Sequence, residues 1–177
     1  MPAIFVGSFQ PFHKGHLKAI KWILKKEKEI FIVIGSSQES LTEKNPFSFF
    51  ERKRMIAKVL KAKKIKNFRI FGIPDVKDDI SWAKKVLKIT KLKPQEAIVF
   101  TRNPWTKESF EKIGVKVKKH PLFFRGLSAT KIRQKIKNNQ KWQTLVPKEI
   151  VSSLKSAKKY FFNKTPLFLL TRCFALK

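Results

Sequence analysis

Five residues, Ile30-Phe31-Ile32-Val33-Ile34, constrain the fold more than any other stretch of this chain. An uninterrupted run of β-branched and aromatic side chains suits a strand covered on both faces, the setting of a parallel sheet. A shorter apolar run, Ile4–Val6, precedes it and is closed by Gly7. Between the two, Leu17, Ile20, Ile23 and Leu24 recur at helical spacing within Gly15–Lys26, with lysines on the other face. Strand, helix, strand over ~30 residues is a βαβ unit.

The alternation continues along the chain. Ser48 with Glu51 three residues on is a capping signature, followed by Met55, Ile56, Val59 and Leu60 on one helical face. A strand is expected over Phe68–Ile73, a helix around Trp82, Val86 and Leu87, and a strand over Ala97–Phe100. A helix over Lys107–Ile113, a strand over Val115–Val117, a Ser128-capped helix to Ile136 and a long helix from Pro147 to about Tyr160 complete the pattern. This order predicts an α/β fold: one Rossmann-like domain over residues 1–160, its mainly parallel sheet flanked by helices. Residues 161–177 form an apolar and basic tail, expected to pack on the domain or in an oligomer interface, with a membrane-surface anchor as the alternative. Polar segments follow each strand, at 7–16, 35–46, 74–82 and 101–104. Ligands of such sheets bind beyond the carboxyl ends of the strands, so these segments are the expected site.

Charge decides what else the chain attracts. Its 41 Lys and Arg against 12 Asp and Glu leave a net +29, spread over every segment. That field predicts salt-sensitive attraction to polyanions. It is read either as nucleic-acid binding or as a generally basic surface, the latter making any polyanion binding incidental. Cys173 is the only cysteine, which excludes a disulfide framework and fits a reducing cytoplasm. The sequence has no apolar run of spanning length, so no membrane partner is expected.

Two constellations carry chemistry. His13 and His16 lie three residues apart at a helix mouth, on one side of its first turn. Exposed N–H groups and the helix dipole favour an anion there, and imidazole N–H groups donate to phosphate oxygens. Metal binding or plain surface residence would explain the pair alone, although no third ligand accompanies it in sequence. His120, the remaining histidine, precedes Pro121 and is expected in a loop. The second constellation is Leu127-Ser128-Ala129-Thr130-Lys131-Ile132-Arg133, in which two hydroxyls, free amides and a guanidinium make an anion clamp or, more simply, an ordinary capped basic helix.

Together the two motifs resemble the nucleotidyltransferase superfamily, with its HxGH motif after the first strand and its S-x-T-x-x-R motif near the end. More narrowly, Gly7–His16 with Gln10-Pro11 is similar to the archaeal-type nicotinamide-nucleotide adenylyltransferases. Ile34–Gln38, Asn45-Pro46-Phe47, Glu51-Arg52, Ile73-Pro74, Trp82, Asn103-Pro104 and Trp142 with Leu145-Val146-Pro147 match in order and spacing. The likeness covers about residues 3–155 and implies the nucleotidyltransferase fold.

What the resemblance implies is adenylyl transfer, in which ATP and nicotinamide mononucleotide give NAD and pyrophosphate with Mg²⁺ held mainly by the phosphates rather than by the protein. His13, His16 and Arg133 are then catalytic. Gly7, Ser8, Phe9, Gly15, Lys44, Ser128 and Thr130 surround ATP. Ser36, Trp82, Asn103 and Pro104 receive the mononucleotide, Trp82 by stacking unless it is simply a core aromatic. Relatives tend to be homo-oligomers. Two departures stand out: Ser8 replaces a usual Arg, and Ala129 a usual Gly. Another phosphate acceptor, such as phosphopantetheine or a flavin phosphate, is the nearest alternative, although relatives of those kinds typically carry Asp where this chain has Gln10. A noncatalytic nucleic-acid-binding relative is the alternative of a different class.

Overall fold

Among the residues that the computed structural model describes, 1–157, five strands lie side by side. They are β1 (Pro2–Gly7), β2 (Glu29–Ile34), β3 (Phe68–Gly72), β4 (Ile98–Phe100) and β5 (Lys116–Lys118). Every pairing is parallel, in the order β3-β2-β1-β4-β5. The connections are α1 (Lys14–Ile23), α2 (Phe49–Ala62), α3 (Asp79–Thr90) and α4 (Pro104–Glu111), and α5 (Ala129–Lys137) and α6 (Val151–Ser156) follow the last strand.

Strand side chains alternate between two cores, as a period of two requires. Ala3, Phe5, Ile30, Ile32, Ile34, Ile98 and Phe100 face α1, α2, α5 and α6. Ile4, Phe31, Val33 and Val99 face α3 and α4, where Trp82, Val86, Leu87 and Phe110 close the second layer. Both faces of the central strands are therefore covered, which explains why Ile30–Ile34 shows no polar interruption. The chain moves outward from β1 through β2 to β3, then crosses back to β4 on the other side of β1. The sheet thus has its topological switch point between β1 and β4.

Element boundaries shift by a residue or two in several places, and three departures stand out. α1 stops at Ile23 rather than Lys26, because Lys25 and Lys26 donate to Trp22 and Ile23 in tighter turns that lead into β2. α4 starts three residues before Lys107: Asn103 is its N-cap and Pro104 its first residue, the position where a missing N–H costs nothing. The long helix from Pro147 divides into a 3-10 turn at Lys148–Ile150 and the short α6. Its expected end at Tyr160 and the tail at 161–177 lie outside the described residues.

One buried cation joins the ends of β1 and β2 to α2. Arg52 is wholly buried and donates to four carbonyls: Ser48 through Nε (3.3 Å), Ser8 and Gly35 through Nη1 (2.9 and 2.8 Å), and Ser36 through Nη2 (2.9 Å). Burial lowers its pKa from 12.5 to about 10, leaving it charged at neutral pH. Removing the guanidinium strands several carbonyls at once. Arg52→Met is expected to lower the unfolding free energy by about 3 kcal/mol in urea titrations, and a loss below about 1 kcal/mol would mean that those carbonyls find other donors.

Candidate active site

The loop after β1 is built around glycines and rings. A Cβ on Gly7 would come within 3.0 Å of the Phe9 ring, so only glycine lets Phe9 fold back over the strand end. Phe9 itself has a φ of 50° and is 1% exposed. Its ring meets His16 edge-on at 4.9 Å, and Phe12 stacks on His16 at 5.6 Å. Phe9 thus reaches the site through the imidazole it supports rather than with an exposed face.

His13 and His16 cap α1 for each other. The His16 backbone N–H donates to His13 Nδ1 (3.3 Å), and the His13 backbone N–H donates to His16 Nδ1 (3.2 Å). This is the reciprocal geometry of a capping box with imidazoles in place of the usual hydroxyl and carboxylate. The rings stack with centroids 3.5 Å apart. Because each Nδ1 accepts, each proton resides on Nε2, and both rings present an Nε2–H donor. Burial lowers the His13 pKa from 6.5 to about 4. Burial, reinforced by repulsion from His13 and His120, holds His16 well below its ordinary value. Both are neutral donors at pH 7. Gly15 completes the arrangement, since a Cβ there would come within 3.0 Å of the His13 ring.

These histidines line a cleft of about 230 Å³ at the switch point, with Phe5 and Val6 of β1 on one side and Thr101, Arg102 and Asn103 after β4 on the other. A larger groove of about 550 Å³ between α1 and residues 143–151 contains none of the histidines. The smaller cleft is therefore the candidate site, on chemistry and topology rather than size. His120 lines it as well. It is a loop residue as expected, yet its neighbour Pro121 gave no sequence signal that the loop turns back toward β1.

α5 is joined to the first loop by Arg133, whose Nη1 donates to the Gln10 carbonyl at 2.8 Å and whose Nη2 donates to Thr130 Oγ1 at 3.3 Å. Gln10 is buried and exchanges two bonds with the Phe47 backbone, at 2.9 and 3.0 Å. One residue thus connects the β1 loop, the β2 loop and α5. Ser128 accepts from the Lys131 N–H as N-cap, leaving its hydroxyl proton to donate elsewhere. Ala129 is the first helical residue and lies outside the positive-φ region, so its methyl forces no backbone change.

The remaining expected residues are more dispersed. Ser8 is exposed, with its carbonyl on Arg52. Lys44 is exposed in a loop whose Glu43 pairs with Lys137 of α5 at 2.8 Å. Ser36 donates to Asp75 Oδ1 (3.0 Å), beside Gln38 on Oδ2 (2.9 Å), which ties the β2 loop to the β3 loop. Asn103 and Pro104 stand at the start of α4. Trp82 is 5% exposed, part of the second core, and its indole is covered at 4.8 Å by Trp105, which is 48% exposed. The sequence reading passed over Trp105, though the preceding Asn-Pro marks a helix start that puts it in the first turn. Among the described residues, no three His, Cys, Asp or Glu side chains form a metal-holding group, and no helix is long and apolar enough to cross a membrane.

Residues 4–153 match the family described as cytidylyltransferase-like. The nicotinamide-nucleotide adenylyltransferase of Thermococcus sibiricus is 40% identical over 89% of this chain and 85% of its own length. That of Saccharolobus solfataricus is 42% identical over 83% of this chain and 86% of its own. A bifunctional NMN adenylyltransferase/ADP ribose pyrophosphatase from Francisella tularensis, complexed with AMP and a Mn ion, superposes with a TM-score of 0.76 at 25% identity. The match covers 92% of this chain and 49% of that one, so the chain spans about half of that protein.

The buried imidazoles make acid stability a readout of the capping box. The unfolded His13 binds its proton near pH 6.5 and the folded one only near 4, so stability present above pH 6.5 is lost as the pH falls between those values. His13→Asn keeps a good N-cap without the titration. Its thermal midpoint is expected to fall less than the wild type's between pH 7 and pH 4.5, and parallel curves would contradict the buried neutral His13.

Proposed function

The chain belongs to the cytidylyltransferase-like family and, within it, to the nicotinamide-nucleotide adenylyltransferases, and on that premise we propose how its cleft carries out the reaction. The enzyme joins ATP and nicotinamide mononucleotide to give NAD and pyrophosphate. The observation that carries the site assignment is the reciprocal capping of His13 and His16, which directs two Nε2–H donors to the cleft at the switch point.

The mononucleotide phosphate is the nucleophile. One of its oxygens bonds to the α-phosphorus of ATP as the bond from that phosphorus to the pyrophosphate oxygen breaks. The attacking phosphate is already anionic, so no general base is required, and catalysis consists of alignment and charge stabilisation. His13 and His16 donate to phosphate oxygens whose charge grows in the transition state. Arg133, with one arm fixed on Gln10, turns the rest of its guanidinium to the β- and γ-phosphates, beside the Ser128 and Thr130 hydroxyls and the free amides of α5. Gly7, Ser8 and Gly15 let the backbone approach the triphosphate. Lys44, on a loop tied to α5, supplies the cationic contact that Ser8 cannot. The mononucleotide lies toward Ser36, Asn103 and Pro104, where the exposed Trp105, backed by the buried Trp82, offers the stacking surface.

The donor set suits a divalent ion brought in on the phosphates, since the cleft's polar side chains are three imidazoles, Thr101, Arg102 and Asn103, with no carboxylate among them. Such an ion, Mg²⁺ on this reading, neutralises phosphate charge when bound. The same reading puts the enzyme in the cytoplasm, with ATP, as a homo-oligomer.

Purified protein given Mg-ATP and nicotinamide mononucleotide is expected to form NAD, and its failure to do so would overturn the reading. His16→Ala is expected to lower kcat by about 10²–10³-fold, with a stability loss of about 2 kcal/mol from the lost capping bond and the space emptied beside Phe9 and Phe12. Turnover near the wild-type rate would remove His16 from the catalytic set.

A further inference from the structure

We propose that His120 selects the purine, its Nε2 accepting a hydrogen bond from the exocyclic amine of adenine; this rests on the adenylyltransferase reading and adds a specificity-determining residue to it. The argument begins with polarity. His120 Nδ1 lies 2.9 Å from the Pro121 carbonyl, which can only accept, so the proton is on Nδ1 and Nε2 carries a lone pair. His13 and His16 are held in the opposite tautomer by their capping bonds. Among the three cleft histidines, two therefore present donors suited to anions and one presents an acceptor that an anion would repel. Burial lowers the His120 pKa, which preserves that lone pair at neutral pH.

The ring is fixed from several sides. Phe5 meets it edge-on at 5.6 Å, and Phe123 lies parallel to it within 2° at 6.4 Å. Arg102 pins the backbone by donating to the His120 carbonyl at 3.0 Å. The parallel rings of His120 and Phe123, beside Pro121, Leu122, Phe124 and Leu127, make an apolar stretch of wall that suits a flat heteroaromatic ligand. Leu127 lines the same cleft immediately before Ser128, so a nucleotide whose phosphates rest on α5 brings its base to His120. Adenine offers an N–H at C6 to the Nε2 lone pair. Hypoxanthine and guanine offer a carbonyl oxygen there, and two lone pairs would oppose each other.

The test compares kcat/KM for ATP and ITP, at saturating nicotinamide mononucleotide, in the wild type and in His120→Phe, which keeps the aromatic ring and removes the acceptor. The wild type is expected to prefer ATP, and the ratio of ATP to ITP is expected to fall by about tenfold in the variant, the worth of one hydrogen bond of about 1.4 kcal/mol. His120→Ala repeats the comparison if His120→Phe does not fold. A ratio unchanged within about twofold would overturn the proposal, as would a change confined to the preference between nicotinamide and nicotinic acid mononucleotide. In either case NAD synthesis from ATP by the wild type leaves the adenylyltransferase reading standing, whereas its absence in the wild type would strike that reading instead.

Discussion

The active-site loops depend on Arg52. A guanidinium removed from water is costly unless its N–H groups are met, and here they are met by carbonyls rather than by a directly bonded carboxylate. Those carbonyls belong to the ends of β1 and β2 and to the start of α2, so one side chain fixes where three elements meet. Asp75 and Glu51 lie close enough to favour its charge.

Gln10 performs the complementary task with an uncharged group. Its amide takes both backbone groups of Phe47 while its own carbonyl holds Arg133, so α5 is drawn to the histidine loop across more than a hundred residues of chain. A carboxylate could accept from the Phe47 N–H but could not donate to the Phe47 carbonyl, so the exchange of bonds seen here requires an amide. The two imidazoles are then oriented by their own helix end. Their neutrality also follows from that placement, since desolvation penalises the charged form.

Much of this was legible in the chain itself. Ile30–Ile34 announced a strand buried on both sides, the Ser48–Glu51 pair announced the start of α2, and the alternation of elements announced the α/β class. The two candidate phosphate motifs were visible only in combination, since each alone also reads as an ordinary helix start. Other features were legible in principle but were misread. Asn103-Pro104 looked like a strand-end loop because proline usually breaks structure, yet at a first helical position it begins one. His13 as an N-cap was hidden because histidine is not among the usual capping residues.

What local sequence determined was the set of elements and the chemistry carried at their ends, since hydrophobic period, caps and breakers act over a few residues. Tertiary structure alone decided which ends meet. The crossover to β4 created the cleft, the folding back of residues 120–124 brought a third histidine into it with the opposite tautomer, and packing buried Trp82 while leaving Trp105 in view. These outcomes depend on contacts between residues far apart in the chain, whose distances no local pattern encodes. The spacing of His13 and His16 marked them as a pair at a helix mouth; that both are neutral, and which nitrogen of each carries the proton, came from the folded helix end and its burial.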